Sequence, residues 1–426
     1  MTCDDTSLVL IKIIVFERNE LITESAVSQV WWIETKKSLI TLTWLPFVFI
    51  QNNGKTVFSE IPEGFESIEI PPGSKILGKK RSYSEKSDRR LDEIYPFSCE
   101  FTKGMDLGGM LFLPKDYHAW LDLILTQQTH PFIQSLKKWY FSDRNQHWYF
   151  RDKELDLKSH HVMGIWNITP DSFSSGCEKI QASGIEFVKQ LLNEEPDVLD
   201  VGGESTRPGA HPITADEEIQ RLEQSLNWVR NDSEIPISLD SRHFKTIRYF
   251  LEENKIDIVN DIGMPSEDDQ EHLKIYAEAG HYDAGLIIMA YESHENNELS
   301  YSSCVEKIVK QLWERLNTAY HNGVDMRTVL VDPGIGFGKG LENDFRLIFD
   351  APLALMCLGR PVLIAHSRKR CLARMLNLPK NHLDVPTAIT AAMAVFKGAA
   401  MVRVHHVAET KAALKTFDAS LPMMGV

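Results

Sequence analysis

Residues Asp197 to Ala210 read DVLDVGGESTRPGA. Val198, Leu199 and Val201 form an apolar strand that runs into Gly202 and Gly203. A polar loop then carries Glu204, Ser205, Thr206 and Arg207 to Pro208. Glycines at a strand end let backbone approach a ligand, and a guanidinium beside them suits an anion. The same pattern recurs along the chain: a short apolar run, polar residues at its end, then a helical period.

Working outward from this segment, strands are expected at His161–Asn167, Asp197–Gly203, Pro236–Ser241, Ile256–Ile262, Gly285–Tyr291, Thr328–Gly334, Pro361–Ser367 and Met401–His406. Helical stretches lie between them at Glu178–Asn193, Asp216–Val229, His243–Glu253, Asp268–Ala279, Val305–Asn322, Asn343–Cys357 and Val385–Phe396. A last helix starts from Glu409. Eight strand–helix repeats in this order and length predict an α/β fold, a (β/α)8 TIM barrel. An open doubly wound sheet would show the same alternation with fewer strands. Trp148 to Leu157 is expected to form a short hairpin that plugs the bottom of the barrel.

Residues 1–146 read differently, as an additional N-terminal α+β domain, with the barrel occupying 147–426. Leu8–Phe16, Ala26–Glu34 and Leu39–Ile50 are strand-like, and Asn52-Asn53-Gly54 signals a turn. The charged run Gly78–Glu93 is expected to be a solvated loop. Tyr117–Tyr140 carries helix-period apolar residues around His130-Pro131, predicting two short helices or one broken one. No phosphate loop, metal spacing or nucleophile constellation stands out there.

The 426 residues are 43% hydrophobic and 25% charged, an ordinary soluble composition. A net charge of −14 argues against sequence-independent nucleic-acid binding and requires any anionic substrate to find a local positive pocket. The six cysteines show no CxxC or zinc spacing, which predicts a reduced, cytoplasmic chain. The acidic start MTCDDTSLVL is unlike a signal peptide, and no apolar run approaches the ~18 residues of a membrane span.

In a barrel of this kind the chemistry sits at the C-terminal strand ends. Those ends carry Asn167, Asp200, Asp240, Asn260 with Asp261, Asp332, Lys369, and Arg403 with His405. Carboxylates and amides without a nucleophile–base pair suit recognition of a flat heteroaromatic. Asp332 can accept two parallel hydrogen bonds from an amidine-like edge, Asn260 and Asp240 can serve the other ring nitrogens, and Lys369 can donate to the ring. Arg403 and His405 lie two apart on one strand and so share a face. With Asn167 as an oxygen ligand for a Mg²⁺ that keeps most of its waters, they can hold a diphosphate.

These residues belong to motifs that resemble dihydropteroate synthase, the folate-pathway enzyme. The motifs are MGIWNITPDSFSSG (Met163–Gly176), DVGGESTRPGA (Asp200–Ala210), SLDS (Ser238–Ser241), VNDI (Val259–Ile262), DPGIGFGK (Asp332–Lys339), SRKR (Ser367–Arg370) and RVHHV (Arg403–Val407). The resemblance implies condensation of 6-hydroxymethyl-7,8-dihydropterin diphosphate with 4-aminobenzoate to 7,8-dihydropteroate and diphosphate. It also implies Mg²⁺, sulfonamide inhibition and a homodimer. Lys369, Arg403, His405 and Asp240 are the catalytic residues so implied, and Asn167 the metal ligand. Asp200, Asn260, Asp332, Ser367 and Arg368 are implied on the substrates, and Phe173, Thr206, Arg207, Pro208 and Phe337 on the mobile loops and walls over the aminobenzoate.

Four positions depart from the common family pattern: Ser175 for Asp, Cys177 for Gly, Ala290 for His and Arg370 for Ser. In the N-terminal region MDLGGMLFL (Met105–Leu113) resembles the acidic metal strand of hydroxymethyldihydropterin pyrophosphokinase, with one Asp where two are needed. That implies a degenerate or unrelated domain. Two competing readings are a methyl-tetrahydrofolate-binding methyltransferase barrel, which has no use for a diphosphate site, and a catalytically silent pterin-binding barrel.

Overall fold

The computed structural model describes residues 147–168, 177–204, 211–262, 270–292 and 299–420, with shorter pieces before residue 147. The chain divides into two compact units, residues 1–145 with 354–359, and residues 146–353 with 360–426.

In the first unit the described pieces are short strands and one helix, Tyr117–Thr126. Ile13–Val15 pairs antiparallel with Ser28–Val30, and Leu42–Leu45 with Leu111–Pro114. Ile50–Asn52 pairs with Lys55–Val57, Asn52 opposite Lys55, so strands flank the expected turn. The charged run 78–93, the His130-Pro131 break and Met105 to Met110 lie outside the described residues.

The second unit is the barrel. Its strands are β1 (His161–Asn167), β2 (Val198–Gly202), β3 (Ile237–Asp240), β4 (Ile258–Asp261), β5 (Gly285–Met289), β6 (Val329–Asp332), β7 (Leu363–Ile364) and β8 (Met401–Val404). All are parallel, in the order β6-β5-β4-β3-β2-β1-β8-β7. A bridge from Val331 to Val362, with Val331 N–H donating to Pro361 O at 3.0 Å, brings β6 to β7 and nearly closes the ring. The helices are α1 (Cys177–Asn193), α2 (Ala215–Asp232), α3 (Phe244–Glu252), α4 (Gln270–His281), α5 (Tyr301–His321), α6 (Leu341–Ala354), α7 (Asp384–Phe396) and α8 (Val407–Ser420). The expected TIM barrel is present.

Local chemistry sets the helix ends. Thr214 and Glu217 form a reciprocal capping box at the start of α2, satisfying donors that the first turn leaves unpaired. Leu222, Leu226 and Val229 then bury one stripe of that helix. Ser300 caps α5 by accepting from Ser303 N–H, so the helix begins at Tyr301, earlier than the apolar period from Val305 indicates. After Lys369 an unexpected short helix, Arg370–Leu376, ends at Asn377 in the left-handed region. That turn falls in a stretch too short to show a helical period.

The hairpin His147–Phe150 with Lys153–Asp156 closes the N-terminal mouth as expected. Trp148 and Phe150 are buried against Met163, Val198, Ile258, Ile287, Leu330, Leu363 and Met401. Trp148 Nε1 donates to Thr328 O at 2.7 Å, so the indole brings its one polar group in satisfied. Gly285 leaves room for this plug: a Cβ there would stand 3.1 Å from both Phe150 Cβ and Trp148 Cζ2.

Strand alternation links this apolar floor to the site. Two residues beyond the floor positions Val198, Ile258, Leu330 and Met401 stand Asp200, Asn260, Asp332 and Arg403. Residues two apart share a face, so the layer above an apolar floor is polar and charged. Among the described residues no helix is long and apolar enough to cross a membrane.

Candidate active site

Asp200, at the centre of this layer, is fully buried. Its Oδ1 accepts from Ser238 Oγ at 2.7 Å and from Asn260 Nδ2 at 3.2 Å. Its Oδ2 accepts from Arg403 Nε at 2.5 Å. Arg403 Nη2 donates to Asp240 Oδ2 at 2.7 Å. One guanidinium and one carboxylate thus connect the tips of β2, β3, β4 and β8. The arrangement leaves Arg403 Nη1 outside those two bonds and Asp240 Oδ1 buried without a hydrogen-bond partner.

Burial dominates the electrostatics. It pushes Asp240 up to about 7; Arg403 opposes the shift, and Asp200 and Glu218 add to it. Asp332 is also raised by burial, with Lys369, the Gly334 N–H and Arg403 pulling it back. Lys369 is lowered by burial while Asp332 supports its charge. Arg403 stays charged because Asp200 and Asp240 outweigh its desolvation. Three acids and two cations therefore hold one another in partial balance, poised for charged ligands.

The DPGIGFGK segment forms one wall. Asp332 Oδ1 accepts from Gly334 N–H at 2.7 Å, and Asp344 Oδ1 accepts from Gly336 N–H at 2.9 Å. Gly334, Gly336, Gly338 and Gly340 all have positive φ. At Gly334 a Cβ would fall 1.8 Å from Ala290 O, so only glycine fits. The buried Lys339 Nζ donates to Ala290 O (2.9 Å), Gly334 O (2.9 Å) and Phe337 O (3.0 Å). Lys369 Nζ donates to Ile335 O and lies 4.6 Å from the centroid of the Phe337 ring. Phe337 in turn meets Tyr291, ring centroids 5.9 Å apart.

At the β7 and β8 tips, Ser367 Oγ lies 2.9 Å from His405 Nδ1 and accepts from His405 N–H at 3.2 Å. Asn167 ends β1 opposite Gly202. A Cβ on Gly202 would stand 3.6 Å from Asn167 Oδ1 and 3.7 Å from Asp240 Cβ, so the amide oxygen overlooks the acid layer.

Of the residues singled out in sequence, Asp200, Asp240, Asn260 and Arg403 share hydrogen bonds, Lys369 and Phe337 share a cation–ring contact, and Ser367 and His405 pair with each other. Asp332 joins the group through the fields of Lys369 and Arg403. Arg368 is directed elsewhere, donating through Nε and Nη2 to Asp384 at 2.6 and 2.9 Å. Phe173, Ser175, Thr206, Arg207 and Pro208 lie outside the described residues. Of the other departures, Cys177 opens α1, Ala290 offers its carbonyl to Lys339, and Arg370 is exposed at the start of the short helix.

Sequence reasoning did not single out Lys339, Glu218 or Ser238. Lys339 stood in a quoted motif, but its carbonyl partners Ala290, Gly334 and Phe337 come together only in the folded loop. Glu218 is buried on α2 and accepts from Ser241 Oγ at 2.7 Å; its place in an acidic first turn resembles any solvated helix start.

Residues 163–405 match the family described as pterin binding enzyme. That span exceeds half of the chain and defines its class, a pterin binding enzyme built on a barrel. A dihydropteroate synthase of Clostridium beijerinckii is 33% identical over 260 residues, covering 61% of this chain and 93% of that one. The structure of Xanthomonas albilineans dihydropteroate synthase with 4-aminobenzoic acid has a TM-score of 0.58 at 28% identity, covering 65% of this chain and 98% of that one. The Burkholderia cenocepacia enzyme complexed with 7,8-dihydropteroate has a TM-score of 0.58 at 28% identity, covering 66% and 99%. The chain belongs to the dihydropteroate synthase family.

Proposed function

We infer that the barrel condenses 6-hydroxymethyl-7,8-dihydropterin diphosphate with 4-aminobenzoate, giving 7,8-dihydropteroate and diphosphate in folate biosynthesis. The observation that carries this reading is the Asp200–Arg403–Asp240 network with Asn260, which sets hydrogen-bonding acids and an amide beside a fixed guanidinium.

The arylamine lone pair forms the new C–N bond at the pterin methylene as the C–O bond to diphosphate breaks. Diphosphate leaves with the bonding electrons, and the amine proton passes to solvent. A neutral arylamine is already nucleophilic, so no side chain has to deprotonate it first. The protein's work is electrostatic: acids favour positive charge developing on the methylene, and Arg403 and Lys369 favour the departing anion. Asp332, Asp240 and Asn260 orient the ring, and Phe337 forms the wall at which the aminobenzoate is held.

Mg²⁺ is part of this proposal. Among the described residues no group of three His, Cys, Asp or Glu side chains could hold a metal. Asn167 Oδ1 is a hard oxygen above Gly202, which suits an ion that takes its remaining ligands from water and diphosphate oxygens. Bound there, the ion would neutralise charge on the leaving group.

The proposed assembly is a homodimer in the cytoplasm. Val385, Ile389, Met393 and Phe396 are 64%, 54%, 49% and 50% exposed on one stripe of α7, a surface that a second copy would cover. Cys304, Cys357 and Cys371 are free thiols, in keeping with a reducing compartment. Sedimentation should give twice the chain mass, falling to one on Ile389→Glu.

The decisive experiment incubates the protein with the dihydropterin diphosphate and labelled 4-aminobenzoate. Labelled 7,8-dihydropteroate is expected. Tight pterin binding without product would instead identify a silent binding barrel.

A further inference from the structure

The β7 tip alternates between two faces. Ser367 and Lys369 turn to the site, whereas His366 and Arg368 turn to α7. His366 Nε2 lies 2.9 Å from Thr390 Oγ1 and 3.3 Å from Thr387 O, and Arg368 N–H donates to Thr387 Oγ1 at 3.4 Å. Arg368 closes a two-pronged pair with Asp384, a geometry that fixes both planes. The pairing holds Arg368 at a φ of 56°, a left-handed conformation that a non-glycine residue adopts only when its surroundings enforce it.

The β8 tip repeats the pattern. Arg403 and His405 are engaged on the site side, and the neighbouring His406 Nε2 lies 3.4 Å from Asp384 Oδ2. Asp384 thus touches one residue of each tip that faces away from the site, Arg368 on β7 and His406 on β8. The Arg368 guanidinium holds its carboxyl below the usual carboxylate range, so it stays ionised through neutral pH.

We propose that Asp384 is a positioning residue that clamps the β7 and β8 tips together through Arg368 and His406, setting the geometry of the Lys369, Ser367, Arg403 and His405 corner for a diphosphate. This rests on the enzymatic reading above, and it moves Arg368 from the substrate to the support. Its ligand class is a pyrophosphoryl group, because a guanidinium, an ammonium, a hydroxyl and an imidazole gathered at one corner suit that anion.

The test is a double-mutant cycle on the full chain with Asp384→Ala, Arg368→Ala and both, with inorganic pyrophosphate binding followed by calorimetry. Each single variant should weaken pyrophosphate by about tenfold through misplacement of the corner. The double variant should be no weaker than the worse single, because the two side chains act as one unit. KM for the pterin diphosphate should rise with them, and KM for 4-aminobenzoate should stay within about twofold. Asp384→Asn preserves the shape of the helix start and serves if the alanine variant does not fold; it should show the same selective loss.

Weak pyrophosphate binding in Arg368→Ala alone, with both Asp384 variants like wild type, would mean that Arg368 grips the anion itself and would overturn the proposal. An equal rise in both KM values would reduce the clamp to general stability and also overturn it. A wild-type chain that makes no dihydropteroate but shows the selective pyrophosphate loss would sink the enzymatic reading and leave the clamp standing. Absence of pyrophosphate binding by the wild type would sink both.

Discussion

Arg403 donates through Nε to Asp200 at 2.5 Å, a bond that ties the last strand of the barrel to the second. Asp200 is fully buried and accepts two further hydrogen bonds, so both of its oxygens have partners within the protein. Asp240 shares the same guanidinium with one oxygen left unpartnered. Arg403 is therefore both the counter-ion that permits two buried acids and a donor available to the substrate.

Replacing Arg403 by Ala should lower turnover by ~10²-fold or more, the scale of losing a charge-assisted contact in a closed site. It should also cost roughly 3 kcal/mol of stability, because two buried carboxylates lose their partner. Steady-state rates with urea unfolding separate the effects. A variant with near-wild-type turnover would remove Arg403 from the chemistry.

Asp240 supplies a pH test. Its carboxyl rises from the ordinary 3.8 to about 7 in the folded chain. The folded state therefore keeps a proton that the unfolded state has released between these values. The stabilisation from that proton is complete below pH 3.8 and is lost as pH climbs through about 7. Asp240→Asn removes the effect, so the stability difference between wild type and variant should favour wild type more at pH 5 than at pH 8. Denaturant unfolding at the two pH values measures this, and a difference independent of pH would refute the raised pKa.

The polar rim was legible because strand period and strand-end chemistry are both local. Asp200, Asn260, Asp332 and Arg403 follow apolar residues by two, so their inward direction can be read from sequence. The plug was legible too, since Trp148 and Phe150 alternate with polar neighbours. Arg368 was not. Its partner Asp384 lies sixteen residues away on the next long helix, and nothing local distinguishes an arginine facing substrate from one facing a scaffold. Lys339 was hidden similarly, because its three carbonyl partners exist only once the glycine-rich loop has folded.

That loop leads to the third prediction. Lys339→Met leaves three carbonyls, two of them buried, without their shared donor, and burial already pushes the Lys339 ammonium down to about 8. An unsatisfied buried polar group costs ~1–3 kcal/mol, so a loss of about 2 kcal/mol is expected after partial relaxation. Because Phe337 O is one of the three, the ring should shift and KM for 4-aminobenzoate should rise. An unchanged KM with lowered stability would confine Lys339 to folding.

The last prediction concerns the floor on which the site stands. Trp148 is fully buried, packs edge-on to Phe150 with centroids 5.0 Å apart, and donates to Thr328 O. Truncating such a residue leaves a cavity and an orphaned carbonyl, a loss of about 3–5 kcal/mol. Trp148→Ala should therefore lower the unfolding midpoint far more than it alters KM, because the acid layer begins two residues further along the strands. Trp148→Phe keeps most of the volume and loses the N–H, so it should recover most of the stability and isolate the hydrogen bond at about 1 kcal/mol. If Trp148→Ala left the midpoint in place while pterin affinity collapsed, the hairpin would belong to the binding site and not to the floor.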